Sequence, residues 1–148
     1  MSETTNEVFD LTSFNDDGFS TAKPLVKFDP MKDGQMQNQN VNLQINSIWL
    51  KKSDEGKMSL NVSAVALGGT QTGATVYKRI NITKGNATSF RYLKTDLVTL
   101  GIKTDDLNDL NKEEVRKLAE GKVIASSIVV NPKDTRFYDV KFQREVTA

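Results

Sequence analysis

A chain of 148 residues is long enough for one domain with a proper core. It contains no cysteine and no histidine. That removes disulfide scaffolds, thiolate metal sites, the cysteine nucleophile, and the commonest general base and metal ligand. The net charge of +1 conceals a segregation: residues 1–39 carry three basic and seven acidic side chains, whereas residues 40–95 carry eight basic and two acidic. Residues 96–120 are acidic again and the last stretch is slightly basic. A basic block flanked by acidic segments is compatible with a nucleic-acid partner even where the total is near neutral. No apolar run approaches the roughly 18–20 residues that span a bilayer. The opening MSETTNEVFD is polar and acidic rather than basic then apolar, so no secretory leader is read there. A soluble, cytoplasmic protein with no membrane partner is expected.

Residues 1–40 are rich in Ser, Thr, Asn, Asp and Gln, the composition of a partly disordered acidic segment. Two apolar pieces, Val8 to Leu11 and Leu25 to Phe28, are expected to dock on the folded part. The domain proper is assigned to residues 41–148.

The stretch 41–83 reads as three strands. In the first, Val41, Leu43 and Ile45 share a face; the apolar parity then slips by one residue to Ile48 and Leu50. Such a slip marks a β-bulge, which bends the strand. Trp49 would then leave the core face; simple burial of this single tryptophan is the alternative. Asp54-Glu55-Gly56 supplies a hairpin turn. In the second strand Met58, Leu60, Val62, Ala64 and Ala66 alternate with Ser59, Asn61 and Ser63, half-buried patterning with a small polar face. Gly68 to Gly73 is a flexible loop without the GK[ST] ending of a phosphate cradle. The third strand puts Val76, Ile80 and Ile82 inward and Tyr77, Arg79, Asn81 and Thr83 outward.

A helix follows, capped by Asn86 or Thr88, with Phe90, Leu93, Leu97 and Leu100 at helical spacing and Gly101 as its stop. Asn111-Lys112-Glu113-Glu114 reads as a capping box for a second short helix burying Val115, Leu118 and Ala119. Asp105, Asp106 and Asp109 lack the spacing and glycine of a calcium loop and read as a solvated face. Val123 to Val130 is a strongly apolar strand, and a turn at Asn131 to Asp134 leads into a last strand, Arg136 to Phe142. In it Tyr138, Val140 and Phe142 share one face and Phe137 and Lys141 the other. The fold class is mainly β: five strands with a helical insertion between strands 3 and 4, the order of an OB-like barrel.

In that order of parts the chain resembles the phage single-stranded-DNA-binding proteins long catalogued as a domain of unknown function. The resemblance rests on the acidic Val8-Phe9-Asp10-Leu11 segment and on the Lys-rich turn Lys51 to Gly56. It continues in the Gly-containing loop, the helix ending in Leu100-Gly101, and the Gly121-Lys122 step into the final hairpin. It implies a sequence-tolerant binder of single-stranded DNA in phage replication or recombination, working in the host cytoplasm. Replication or recombination proteins, and further copies of the chain, are its candidate partners.

Bases would stack on aromatic side chains, each contributing roughly 1–3 kcal/mol. Trp49 and Tyr77 are the first candidates, followed by Phe137 and Tyr92. Lys51, Lys52, Lys57, Lys78, Arg79 and Arg91 are candidate phosphate contacts, although Lys78 has core parity, and Lys141 shares the face of Phe137. A phage structural or assembly barrel, and a protein-binding inhibitor module, are the alternative readings. No metal or cofactor is implied, and no catalytic constellation stands out, so an enzyme is not expected.

Overall fold

The slip in the apolar pattern of the first strand is a β-bulge, and it sets the shape of the sheet. In the computed structural model, which describes residues 8–22, 24–83 and 85–147, the elements are α1 (Thr12–Asp16), β1 (Gln39–Lys52), β2 (Met58–Ala66), β3 (Thr75–Ile82), α2 (Ala87–Thr99), α3 (Glu113–Arg116), β4 (Val123–Val130) and β5 (Tyr138–Glu145). All strand pairings are antiparallel and the order is β3-β2-β1-β4-β5. β1 pairs with β4 from Gln39 to Gln44 and with β2 from Leu43 to Lys52. The register shifts between Ile45 and Ser47. Val41, Leu43 and Ile45 before the bulge and Ile48 after it are therefore all buried, and Trp49 faces outward.

The inner face of the sheet joins Leu43, Ile45, Leu60, Val62, Val76 and Ile124 in one core, which α2 covers with Leu93 and Leu97. The two ends of α2 are built as the sequence predicts. The Asn86 side chain accepts the Ser89 N–H at 3.0 Å, satisfying an otherwise orphan donor. At the other end the Ile102 N–H donates to Leu97 O at 2.8 Å and the Gly101 N–H to Val98 O at 2.9 Å. With Gly101 at φ 84° this is a Schellman motif, whose left-handed position glycine occupies without a Cβ clash.

Several expectations are corrected. The capping box at Asn111 is not made: Asn111 closes a preceding 3-10 turn, Leu107–Asn111, which Asp106 caps by accepting the Asn108 N–H at 2.9 Å. Lys112 becomes the N-cap of a single-turn helix, which runs directly into a 3-10 turn, Lys117–Ala119. The tighter winding turns Ala119 inward and leaves Leu118 exposed. Strand β5 begins at Tyr138 rather than Arg136, because Asn131 to Phe137 form a closed loop, with the Asn131 N–H donating to Phe137 O at 2.9 Å. The Gly68 to Gly73 loop contains a 3-10 turn and is tied to the chain before β1. Gln39 and Thr70 bond at 2.9 Å, and Gln71 both accepts from the Asp29 N–H and donates to Asp29 O.

Of the two early apolar pieces, the second docks. Phe28 is buried, and its N–H donates to Thr75 O at 2.9 Å. Val8, Phe9 and Leu11 are exposed. Residues 1–7 of the expected disordered segment lie outside the described residues.

The outer edges of the sheet, β3 and β5, do not form a backbone ladder with each other, so the expected closure into a barrel is not made by strand pairing. Side chains span the gap instead. The Tyr77 N–H donates to the Tyr138 hydroxyl at 3.1 Å, and Lys78 Nζ donates to Val140 O. Phe28 lies against the Tyr138 ring, edge to face, with centroids 5.1 Å apart. Lys78 is thus a structural residue, not a free phosphate contact. Its ammonium sits 5.1 Å from the Phe142 ring centroid and 3.9 Å from the Asp96 carboxylate. Burial pushes Lys78 below the ordinary lysine range and Asp96 above the ordinary carboxylate range, in each case against their mutual attraction. At that separation desolvation outweighs the Coulomb gain, as is common for partly dry ion pairs.

Two outcomes follow from the seam. Tyr138→Phe should cost about 1–2 kcal/mol in urea denaturation, because it leaves the Tyr77 N–H without its acceptor, and should accelerate hydrogen exchange at that amide. The depressed Lys78 makes the unfolded chain hold a proton that the folded one sheds. Stability should therefore rise as pH climbs from the depressed value toward about 10.4. The raised Tyr138 acts with the opposite sign above about pH 10. Denaturation midpoints followed below that point should lose this upward slope in Lys78→Met.

Candidate functional site

The outward side chains of β1, β2 and β3 form a lattice fixed by the register. Ser47, Ser63 and Tyr77 make one row; Trp49, Asn61 and Arg79 the next; Lys51, Ser59 and Asn81 the third. The central column is small and polar and is not free space. Ser59 and Ser63 are buried between the larger flanking side chains, Ser63 bonds Ser47 at 2.9 Å, and the Asn61 amide donates to Ser59 at 3.1 Å. The central column is a floor, with Trp49 on one side and Tyr77 and Arg79 on the other.

A cleft of about 520 Å3 opens over this floor. Trp49, Asn61, Tyr77, Arg79 and Asn81 line it from the sheet, Lys78 borders it although its ammonium is held in the seam, and Arg136 and Phe137 line it from the β4–β5 loop. Trp49 is 37% exposed, Tyr77 41% and Phe137 59%, so each side chain is partly covered and partly open to solvent. The alternative of a simply buried tryptophan is thereby excluded.

The remaining candidates divide. Lys51 shares the Trp49 face, two residues on, while Lys52 and Lys57 flank the β1–β2 turn. Lys57 makes a solvent-exposed pair with Glu55 at 3.3 Å, which contributes little. Tyr92, on α2, lines a separate cleft of about 400 Å3 that shares Asn81 with the first. Arg91 is exposed on α2 and lines neither cleft. Lys141 stands on β5 opposite Ser127, outside the cleft.

Arg136 is the residue that the sequence analysis missed. It donates from Nε and Nη2 to the two carboxylate oxygens of Asp134, at 3.0 and 2.8 Å, and lies 5.4 Å from the Phe137 ring centroid. These bonds hold the Asp134 carboxyl below its ordinary range and raise Arg136. The available signal was an arginine beside an aromatic in the final turn, in a segment assigned to the strand.

The acidic residues of the insertion serve structure. Asp105 pairs with Lys94, Asp106 caps a turn, and Asp109 accepts from Thr104 at 2.6 Å and from Lys112 at 3.3 Å. Among the described residues no group of three or more acidic side chains is arranged to hold a metal ion. No protein-family model matches the chain, and no curated protein is significantly similar to it.

The cations around Trp49 should be visible to small ions. Iodide should quench the fluorescence of this single tryptophan more efficiently than caesium at low ionic strength, the ratio falling as added salt screens the site. Equal quenching by both ions would mean that Arg79 and Lys51 do not set the local potential.

Proposed function

We propose that this protein binds single-stranded DNA with little sequence preference, in the manner of an OB-like barrel. The supporting observation is that three aromatic rings from three different elements, Trp49, Tyr77 and Phe137, line one cleft together with Arg79. Single-strand binders combine stacking platforms with cations that follow the backbone; exposed rings standing beside Arg79 in the cleft, with Lys51 and Lys52 toward the β1–β2 turn, support this reading. In the OB-fold the ligand lies on the face of strands 2 and 3, flanked by the first and last hairpin loops. Here the equivalents are the β1–β2–β3 face, the Lys51 to Lys57 turn and the Arg136-Phe137 loop. The side-chain seam between β3 and β5 supports the barrel reading, since those two strands meet where such a barrel closes. A role in phage replication or recombination is part of the same proposal.

Bases stack on Trp49, Tyr77 and Phe137, while Arg79 and Lys51 meet phosphates, with Lys52 and Lys57 continuing the basic path around the turn. Stacking tolerates any base because every base has a π-face. Oligo-dT should quench Trp49 fluorescence. Trp49→Ala and Tyr77→Ala, read by anisotropy, should each weaken binding by about 1–3 kcal/mol, roughly 5- to 150-fold. Arg79→Ala should flatten the dependence of log affinity on log salt by about 0.7. An unquenched Trp49 together with no anisotropy change would overturn the proposal.

A second reading, a protein-binding assembly module, is favoured by one feature. Phe9, Leu11, Phe14 and Phe19 are all exposed around the short helix α1, which buries nothing. It predicts self-association or partner capture that is lost on deleting residues 1–22, with no response to oligonucleotide.

A further inference from the structure

The loop between β4 and β5 is built more rigidly than its exposure suggests. The Asn131 side chain accepts the Lys133 N–H at 2.9 Å, and the Phe137 N–H donates to Asp134 O at 3.1 Å. One carboxylate, Asp134, accepts three times from Arg136: from its backbone N–H at 3.2 Å and from Nε and Nη2. The two side-chain bonds are the parallel fork that fixes both planes. The guanidinium so fixed lies against the Phe137 ring, and both residues line the cleft.

We propose that Arg136 serves as a stacking surface rather than a phosphate contact, and that Asp134 is the positioning residue that makes it so. This deepens the reading of the cleft as a single-strand binding face and rests on it. Two physical points carry the inference. First, a guanidinium whose Nε and Nη2 already donate to a carboxylate has lost the fork edge that matches a phosphate; its flat, weakly hydrated face is what remains. Second, the neighbouring carboxylate cancels the charge. A phosphate approaching this pair meets no net cation, so the pair adds nothing to counterion release. Arg79 carries no such partner among the described residues. The two arginines that line one cleft therefore have different work: Arg79 neutralises backbone charge, and Arg136 extends the Phe137 ring into a larger platform for a base.

The salt dependence of binding separates these roles where affinity alone does not. The full-length protein, Arg79→Ala, the double variant Asp134→Asn/Arg136→Ala, Arg136→Lys and Asp134→Asn are titrated with oligo-dT by anisotropy over a range of salt. The double variant, which removes both charges of the pair, should weaken binding about fivefold or more at every salt concentration without altering the slope. Arg136→Lys, which keeps a cation and loses the plane, should bind as weakly as the double variant. Asp134→Asn should release the charge and steepen the slope by about 0.7. A slope flattened by the double variant as much as by Arg79→Ala would make Arg136 a phosphate contact and overturn the inference, as would an unchanged affinity. In either case loss of binding in Trp49→Ala would leave the wider reading standing. Failure of the wild-type protein to bind oligo-dT would overturn both.

Discussion

The open face of the sheet depends on one extra residue in β1. Without the irregularity between Ile45 and Ser47, alternation would carry Trp49 onto the same side as Val41, Leu43 and Ile45. The fourteen-residue strand pairs with β4 from Gln39 to Gln44 and with β2 from Leu43 to Lys52. The bulge lies within the β2 pairing, just past the end of the β4 pairing. It bends the strand and changes which side chains face the core. The apolar residues after it, Ile48 and Leu50, stay inward because the chain has gained one position, not because the pattern is continuous.

From that bend the rest of the face follows by register. Trp49 stands opposite Asn61, and Asn61 opposite Arg79, which places the tryptophan and the arginine two strands apart with a small side chain between them. The spacing matters because a flat group needs a floor that is low and walls that are high. Serines and an asparagine on β2, hydrogen-bonded to one another and to β1, make the floor; larger side chains on β1 and β3 make the walls. The basic charge of the chain collects on the same strands, while Asp105, Asp106 and Asp109 of the acidic insertion cap and pair within it and Asp96 reaches Lys78 on β3.

Most of this was legible in the residues. The parity slip between Ile45 and Ile48 identified the bulge, the alternation of Met58 to Ala66 identified β2, and Asn86 or Thr88 together with Gly101 marked the two ends of α2, the structure choosing Asn86 as the cap. These signals are local, carried by side-chain period or by a backbone position that few residues tolerate. What escaped was set by contacts between distant segments. Lys78 was read with the correct parity, but its neighbours, Asp96 on α2 and Val140 on β5, are not visible from β3. Arg91 and Tyr92 were placed on the correct helix, but how that helix is turned against the sheet decides that Tyr92 lines a cleft with Asn81 and Arg91 lines neither of the two clefts. Arg136 was hidden because Arg136-Phe137-Tyr138 alternates as a strand would. Only the bonds that Asp134 accepts and the closure of Asn131 N–H on Phe137 O show that the strand starts two residues later, at Tyr138.

The seam between β3 and β5 has a dynamic consequence. A strand pair zipped by a ladder opens only by breaking many backbone bonds together, whereas this one is fastened by a hydroxyl, an ammonium and an aromatic edge. It is therefore the line along which the sheet can part at least cost, well below the free energy of global unfolding. Tyr77 lies on one bank of that line and the Phe137 loop on the other. The width of the cleft is thus coupled to a latch of side chains rather than to a backbone ladder, and because Phe28 and Tyr138 belong to that latch, the cleft and the edge of the core widen together.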